Sequence, residues 1–207
     1  HEGVVIRQSF RITKITLAKK CMVVSLSTGE FISGSHILVA AGRMPNIQGL
    51  NLEAGGVAHD KRSIMVDQGL RSTSNRNVYA AGDVAGGLQF THVAGYQSGL
   101  IIRNALFKIP VKNRTDIIPW VTYTDPELAH VGFSEAQARK AHGADVMVLK
   151  LPFAENDRAQ TEGNTNALIK ILFRKGRIIG TSIVWPSAGE LSVPFGFSTT
   201  PRARDFP

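Results

Sequence analysis

The chain has 207 residues, of which 43% are apolar, and its formal net charge is +8. This length is enough for one large domain or two small ones with real hydrophobic cores. No apolar run approaches the roughly 18 residues that a membrane-spanning helix needs, and the N-terminus lacks the apolar core of a signal peptide. The single cysteine gives no sign of an oxidising compartment. We therefore expect a cytoplasmic globular protein with no membrane partner.

The positive charge is scattered along the chain. Lysine and arginine stand singly or in pairs in predicted hairpins and turns, with no run of five and no interleaved aromatic residues. This pattern argues against a nucleic-acid partner. We expect a solvated surface, part of which would suit the phosphates of a dinucleotide.

Residues 3–41 are predicted to be rich in strands. The stretches FRITKITLA and CMVVSLSTG alternate in polarity and are joined by Lys19 and Lys20, which predicts antiparallel hairpins. The stretch SHILVAAG predicts a fully buried strand. Gly42 follows that strand and would permit close approach of a ligand to the main chain. Cys21 has no partner thiol, so we interpret it as a structural strand residue.

The most informative stretch is NVYAAGDVAGGLQFTH, residues 77–92. The apolar run at 78–81 predicts a strand that ends directly at Gly82 and Asp83. Strand ends are where α/β sheets bind ligands, and a carboxylate placed there can accept hydrogen bonds from sugar hydroxyls. Thr91 is predicted to cap a helix that runs to residue 107. The free N–H groups of that helix would face the same crevice and suit partial negative charge.

The remaining elements predict a loop-rich segment and then a separate α+β domain. Residues 42–62 are predicted as a loop with a short helical turn, and the polar, basic residues 110–116 as a linker. A capping-box pattern at Ser134 to Gln137 predicts a helix to about residue 141. Strands are predicted at 64–66, 119–123, 128–132, 146–151, 167–173 and 178–185.

The tail breaks this pattern. After Leu191 the sequence SVPFGFSTTPRARDFP contains three prolines and no helical period. We therefore predict that residues 192–207 do not extend a helix. Two explanations stay open at this point, a native divergent terminus and an out-of-frame or misassembled gene reading.

Neither a metal site nor a hydrolase triad is predicted. The histidines show no metal-ligand spacing with cysteine or carboxylates, and no Ser-His-Asp elbow appears.

Three blocks together resemble the pyridine nucleotide-disulfide oxidoreductases, the family of dihydrolipoamide dehydrogenase, glutathione reductase and mercuric reductase. ILVAAGRMPN at 37–46 is similar to the strand that leaves the family's nicotinamide domain, with Ala41 where threonine is common. NVYAAGDVAGGLQFTH resembles the family's second flavin-binding segment. TYTDPELAHVG at 122–132, NDRA at 156–159 and IGTSIVWPSAGE at 179–190 are similar to its interface domain.

The resemblance implies a fold of the α/β plus α+β class, in which partial FAD- and NAD(P)-binding Rossmann-like domains precede an α+β dimerisation domain. It assigns residues 1–48 to the nicotinamide domain, 49–116 to the FAD domain, 117–191 to a truncated dimerisation domain and 192–207 to an aberrant tail. It also implies FAD and NAD(P)H as cofactors, a homodimer, and a small-molecule or thiol–disulfide substrate.

The resemblance further implies particular cofactor contacts. Asp83 would accept a hydrogen bond from the ribityl chain of FAD, and the main-chain amides of residues 89–92 would lie by the flavin pyrimidine ring. There the helix N-terminus would stabilise negative charge that develops during reduction. The predicted cofactor-contacting residues are Gly42, Asp83, Gln89, Phe90, Thr91 and His92, and His92 is assigned no proton-transfer role.

Several motifs of a complete enzyme of this family are missing from the sequence. They are the two glycine turns for the dinucleotides, the C-x4-C redox pair and the late His-Pro followed by Glu. We therefore expect a fragment of such an enzyme with no catalytic residue of its own. The alternative is a non-catalytic interaction module or a nonfunctional gene remnant. Neither the substrate nor the choice between NADH and NADPH follows from the sequence.

Overall fold

The computed structural model describes residues 3–18 and 21–199, with side chains to residue 196. It divides into two compact units, residues 1–44 and 45–207, and each is described by itself. The finer domain boundaries expected after residues 48, 116 and 191 stay predictions.

The first unit contains a three-stranded antiparallel sheet in the order β1-β2-β3. Its strands are β1 (Ile12–Ala18), β2 (Cys21–Leu26) and β3 (Phe31–Gly34). Ala18 pairs with Cys21, so the predicted hairpin is confirmed, although its turn at Lys19 and Lys20 lies outside the described residues. Cys21 is an exposed strand residue with a free thiol, as interpreted from the sequence.

The buried strand predicted from SHILVAAG is wrong. Residues 35–41 have no regular structure, and Leu38 and Val39 are 90% and 72% exposed. An apolar segment becomes a strand only where a neighbouring chain segment completes its hydrogen-bond ladder. None of the described strands pairs with this segment.

The first part of the second unit, residues 45–90, is held together by turns and a small core. The strands predicted at 64–66 and 78–81 are wrong as strands, because this region has only isolated bridges, such as that between Val66 and Ser72. Local side-chain bonds replace a ladder here, since the Asp67 carboxylate accepts hydrogen bonds from the main-chain N–H groups of Gly69 and Arg71. The core residues are Leu52, Val57, Ile64 and Ala80.

The long helix predicted next is confirmed as α1 (Thr91–Ala105). Its buried residues are Val93, Gln97 and Leu100, at the spacing of one helix face. The predicted cap is wrong: Phe90 is the N-cap residue, no side chain caps the helix, and Thr91 is already helical.

The rest of the second unit is a five-stranded antiparallel sheet with helices, which confirms the predicted α+β domain. The sheet order is β4-β5-β8-β7-β6. Ser134 and Gln137 form the predicted capping box in front of α2. The elements are β4 (Trp120–Thr122), β5 (Glu127–Gly132), α2 (Glu135–His142), β6 (Met147–Pro152), α3 (Asp157–Thr161), β7 (Leu168–Arg174), β8 (Arg177–Trp185) and α4 (Ala188–Thr199).

The prediction that the tail does not extend a helix is wrong, because α4 runs to Thr199 with Pro194 inside it. The tertiary contacts of α4 outweigh the unfavourable effect of Pro194 on the helix. Phe195 packs against the buried cluster of Ala129, Ile183 and Ala188, and the N–H of Gly189 donates to Glu127 Oε2 over 3.0 Å. Residues 200–207 lie outside the described part of the chain.

None of the described helices is both long enough and apolar enough to cross a membrane.

Candidate cofactor site

Gly82 begins the short 3-10 helix Gly82–Ala85, which directly precedes the loop into α1. Its φ is +71°, a conformation that residues with a Cβ rarely adopt. A Cβ at this position would lie 3.0 Å from Cβ of Ala94 in α1. The glycine is therefore needed to turn the chain and to pack the turn against the helix.

Gln97 holds this turn in place and was missed by the sequence reasoning. It is 1% exposed, and its Oε1 accepts a hydrogen bond of 2.7 Å from the N–H of Gly82. Breaking this bond would leave a buried donor unsatisfied. The signal was present in the sequence, because Gln97 is the polar member of the otherwise apolar stripe formed with Val93 and Leu100.

Asp83 follows Gly82 and is half-buried in the first turn of the 3-10 helix. Its main-chain oxygen accepts a hydrogen bond from Gly86. Within the described residues, its carboxylate has no hydrogen-bond or ion-pair partner. The carboxylate oxygens can therefore accept hydrogen bonds from a ligand.

The start of α1 is also left open. The N–H groups of Val93 and Ala94 donate to the Phe90 carbonyl, at 3.1 and 3.2 Å. The first helical amides, those of Thr91 and His92, have no acceptor within the helix. There is no side-chain cap and no acidic residue in the first turn. The positive end of a 15-residue helix is thus available to an electron-rich group.

His92 fixes the direction of this helix start. Its Nε2 lies 2.9 Å from the Pro119 carbonyl oxygen, and because a carbonyl only accepts, Nε2–H donates. The imidazole also stacks on the Phe90 ring, with centroids 5.3 Å apart and planes 19° apart. These contacts tie the first turn of α1 to the residue before β4, which is a positioning role.

The two other predicted residues are less informative. Gln89 is half-buried in the loop before α1. Gly42 lies in the first unit, where it has a φ of +94° and open space where a Cβ would be. Its role at a nicotinamide dinucleotide stays a prediction.

The described residues include no group of three or more His, Cys, Asp or Glu side chains that is arranged to hold a metal ion.

Comparison with known families gives the same assignment at both ends of the chain. Residues 1–98 match the pyridine nucleotide-disulphide oxidoreductase model, and residues 118–200 match the dimerisation domain of the same family. The chain therefore belongs to the pyridine nucleotide-disulfide oxidoreductases. Its fold is the mixed α/β fold of that family.

Individual relatives come from two branches. A mercuric reductase of Staphylococcus aureus is 37% identical over 177 residues, which are 82% of this chain and 32% of that protein. A dihydrolipoyl dehydrogenase of Geobacillus stearothermophilus is 38% identical over 170 residues, 81% of this chain and 36% of that protein. The chain thus spans about a third of the length of these relatives.

Solved structures agree with this assignment. LpdA from Mycobacterium tuberculosis superimposes with a TM-score of 0.87 at 29% identity, over 95% of this chain and 43% of LpdA. The HOCl-induced flavoprotein disulfide reductase RclA from Escherichia coli gives a TM-score of 0.76 at 29% identity, over 91% of this chain and 44% of RclA.

Proposed function

We propose that residues 82–92 form one side of an FAD site in a cytoplasmic, NAD(P)H-dependent oxidoreductase that acts on a thiol–disulfide or other small-molecule substrate. The observation that carries the proposal is the pairing of a free carboxylate with an open helix start. Asp83 offers hydrogen-bond acceptors that have no partner in the described part of the chain, and α1 begins without a side-chain cap.

The two features suit different parts of the same ligand. Asp83 would accept a hydrogen bond from a ribityl hydroxyl, and the amides of residues 89–92 would face the electron-rich side of the isoalloxazine ring. Bound FAD would supply hydride and electron transfer between a nicotinamide and the substrate.

The residues of this chain supply placement and electrostatics. Gln97 holds the turn that carries Asp83, because its Oε1 fixes the N–H of Gly82. His92 holds the start of α1 through the Pro119 carbonyl, so the helix N-terminus keeps its direction as negative charge develops next to it. This environment would favour the reduced, anionic form of the flavin.

The parent protein is proposed to be a homodimer. The match of residues 118–200 to the dimerisation domain supports this proposal. So does a row of exposed apolar side chains on the edge strand β6, namely Met147, Leu149 and Leu151.

The flavin proposal is tested first on the chain as it stands. Because the chain spans about a third of its relatives, we expect weak or no FAD binding and no NAD(P)H-dependent reduction of disulfide, lipoamide or Hg(II). Gel filtration with excess FAD, followed by an absorbance spectrum, measures this. Stoichiometric flavin that stays bound through the column would show that these residues alone suffice.

A further inference from the structure

A cavity of about 670 Å3 lies within the second unit. Its volume falls in the range of roughly 300 to 1,000 Å3 that is typical of small-molecule sites. The cavity is bounded by the loop before α1, the 3-10 helix Thr115–Ile117, the strands β4, β5 and β8, and the start of α2. Leu88, within residues 82–92, lines it, whereas Asp83 and residues 89–92, to which we assign the flavin contacts, do not.

The walls of this cavity are largely apolar and partly aromatic. The apolar side chains come from three separate stretches of the chain, so the cavity is not a groove along one element. They are Leu88, Ile118, Trp120, Leu128 and Phe133. Such walls favour a flat apolar ring over a flexible polar chain.

The buried His130 adds a polar but uncharged wall. It is 8% exposed, and its Nε2 lies 3.0 Å from the Gly132 carbonyl, to which Nε2–H donates. Its Nδ1 lies 2.9 Å from Ser182 Oγ and accepts from that hydroxyl. Burial lowers the pKa of His130, so the ring is neutral near neutral pH. Its centroid is 5.3 Å from that of Trp120.

The charged groups on or next to the elements that bound the cavity are already paired. Arg114 binds Asp116 through two parallel bonds, Nε to Oδ1 at 2.8 Å and Nη2 to Oδ2 at 2.7 Å. Lys170 and Arg139 both contact Glu135, at 3.3 and 3.0 Å. The cations therefore already have carboxylate partners, and an anionic ligand gains little here. The Asp116 side chain is 44% exposed, and each of its oxygens has a lone pair left to accept a hydrogen bond.

We propose that this cavity binds an uncharged aromatic molecule of one or two rings that carries a hydroxyl or N–H donor. The ring lies between the apolar walls beside Trp120, and the donor hydrogen-bonds to Asp116. The cavity does not include Asp83 or residues 89–92, and this proposal does not depend on the flavin contacts.

The test uses phenol as the probe and the two tryptophans as reporters. Trp120 lines the cavity, whereas Trp185 does not line it and stacks on Phe153 with centroids 4.4 Å apart. In 1H–15N spectra of the 207-residue chain, phenol should shift the indole N–H peak of Trp120 saturably and leave that of Trp185 in place. Anisole, which lacks the donor, should bind several-fold more weakly. Benzoate, which is an anion, should not bind.

Cavity-filling variants give the second arm of the test. Leu128→Phe in β5 should weaken phenol binding at least tenfold, and Thr115→Tyr in the 3-10 helix should do the same. Leu151→Phe is the matched control, because Leu151 is 46% exposed on β6 and does not line the cavity. Peak dispersion without ligand shows which variants fold. The proposal is wrong if Trp120 shows no saturable shift, if benzoate binds as well as phenol, or if every folded filling variant binds phenol normally.

Discussion

Gly82 is the residue on which the turn before α1 depends. Its positive φ and its 3.0 Å approach to Ala94 both exclude a side chain. We expect Gly82→Ala to lower the free energy of unfolding by about 1 to 3 kcal/mol. Gly99→Ala in α1 is the control, because a Cβ at Gly99 would have no atom within 4 Å. The Gly99→Ala change should leave the free energy of unfolding unchanged or raise it by up to about 1 kcal/mol. Urea denaturation followed by circular dichroism measures both, and equal effects would contradict this account of the turn.

His130 makes stability depend on pH. Burial lowers its pKa in the folded state, and the nearby Lys170 charge lowers it further. Below the ordinary histidine pKa of about 6.5, the unfolded chain therefore binds a proton that the folded chain does not. Stability should fall as the pH drops from 7 through the folded pKa. His59 acts in the opposite direction at higher pH, above about 6.5, because the Asp60 carbonyl raises its pKa.

The variant His130→Gln distinguishes the contributions of His130 and His59 to the pH dependence of stability. In His130→Gln the His59 effect remains, so the stability difference between wild type and variant reports on His130 alone. We expect the wild-type advantage to shrink between pH 7 and pH 5 in urea denaturation series. A difference that is constant over this range would show that His130 takes up its proton as easily in the folded chain as in the unfolded one.

Sequence patterns singled out some residues of the candidate site and missed others, for physical reasons. Gly82 and Asp83 stood out because they directly follow the apolar run at 78–81, where a bare main chain and a carboxylate are presented together. Gln97 did not, because a glutamine in a helix resembles a surface residue until its buried partner is known. The cavity was missed altogether, since its walls come from segments far apart in the sequence.

At the scale of elements, α4 shows how packing outweighs local propensity. Phe195 is half-buried against the core cluster of the five-stranded sheet, whereas Val193 is 51% exposed. Phe195→Ala should therefore lower the free energy of unfolding by about 1 to 3 kcal/mol. Val193→Ala, the control in the same helix, should change it by about 0.5 kcal/mol or less. Equal losses, or none in either variant, would mean that α4 does not pack on this sheet.

Strand predictions were confirmed where both paired strands lie among the described residues. The hairpin partners of β1 and β2 are adjacent in sequence, and those of β4 to β8 all lie within residues 120–185. The segment 35–41 has equally apolar residues but none of the described strands beside it. Periodicity reports which residues favour burial, and it does not report whether a neighbouring strand is present.

At the scale of the whole molecule, the exposed edge strand β6 predicts self-association. Met147, Leu149 and Leu151 are 69%, 41% and 46% exposed on one face of that strand. Exposed apolar edges of this kind usually drive association. We expect a weak, concentration-dependent dimer or aggregate in sedimentation experiments. Leu149→Lys should weaken the association at least tenfold, whereas Leu106→Lys, which changes a 72% exposed residue after α1, should not.

A clean monomer at high concentration would contradict this expectation. Equal association of the two lysine variants would also do so, because the contact would then lie away from β6.

The central claim is that Asp83 and the start of α1 form part of an FAD site. It is tested most directly in a chimera, in which the preceding part of the Geobacillus stearothermophilus dihydrolipoyl dehydrogenase is joined to this chain. Flavin fluorescence titration should show FAD binding to the chimera. Asp83→Ala should weaken it by about 1 to 3 kcal/mol, the cost of removing a charged hydrogen-bond acceptor. Asp145→Ala, a change of an exposed carboxylate outside the site, should have no effect. A chimera without flavin, or equal affinity in the Asp83→Ala and unsubstituted chimeras, would contradict the account.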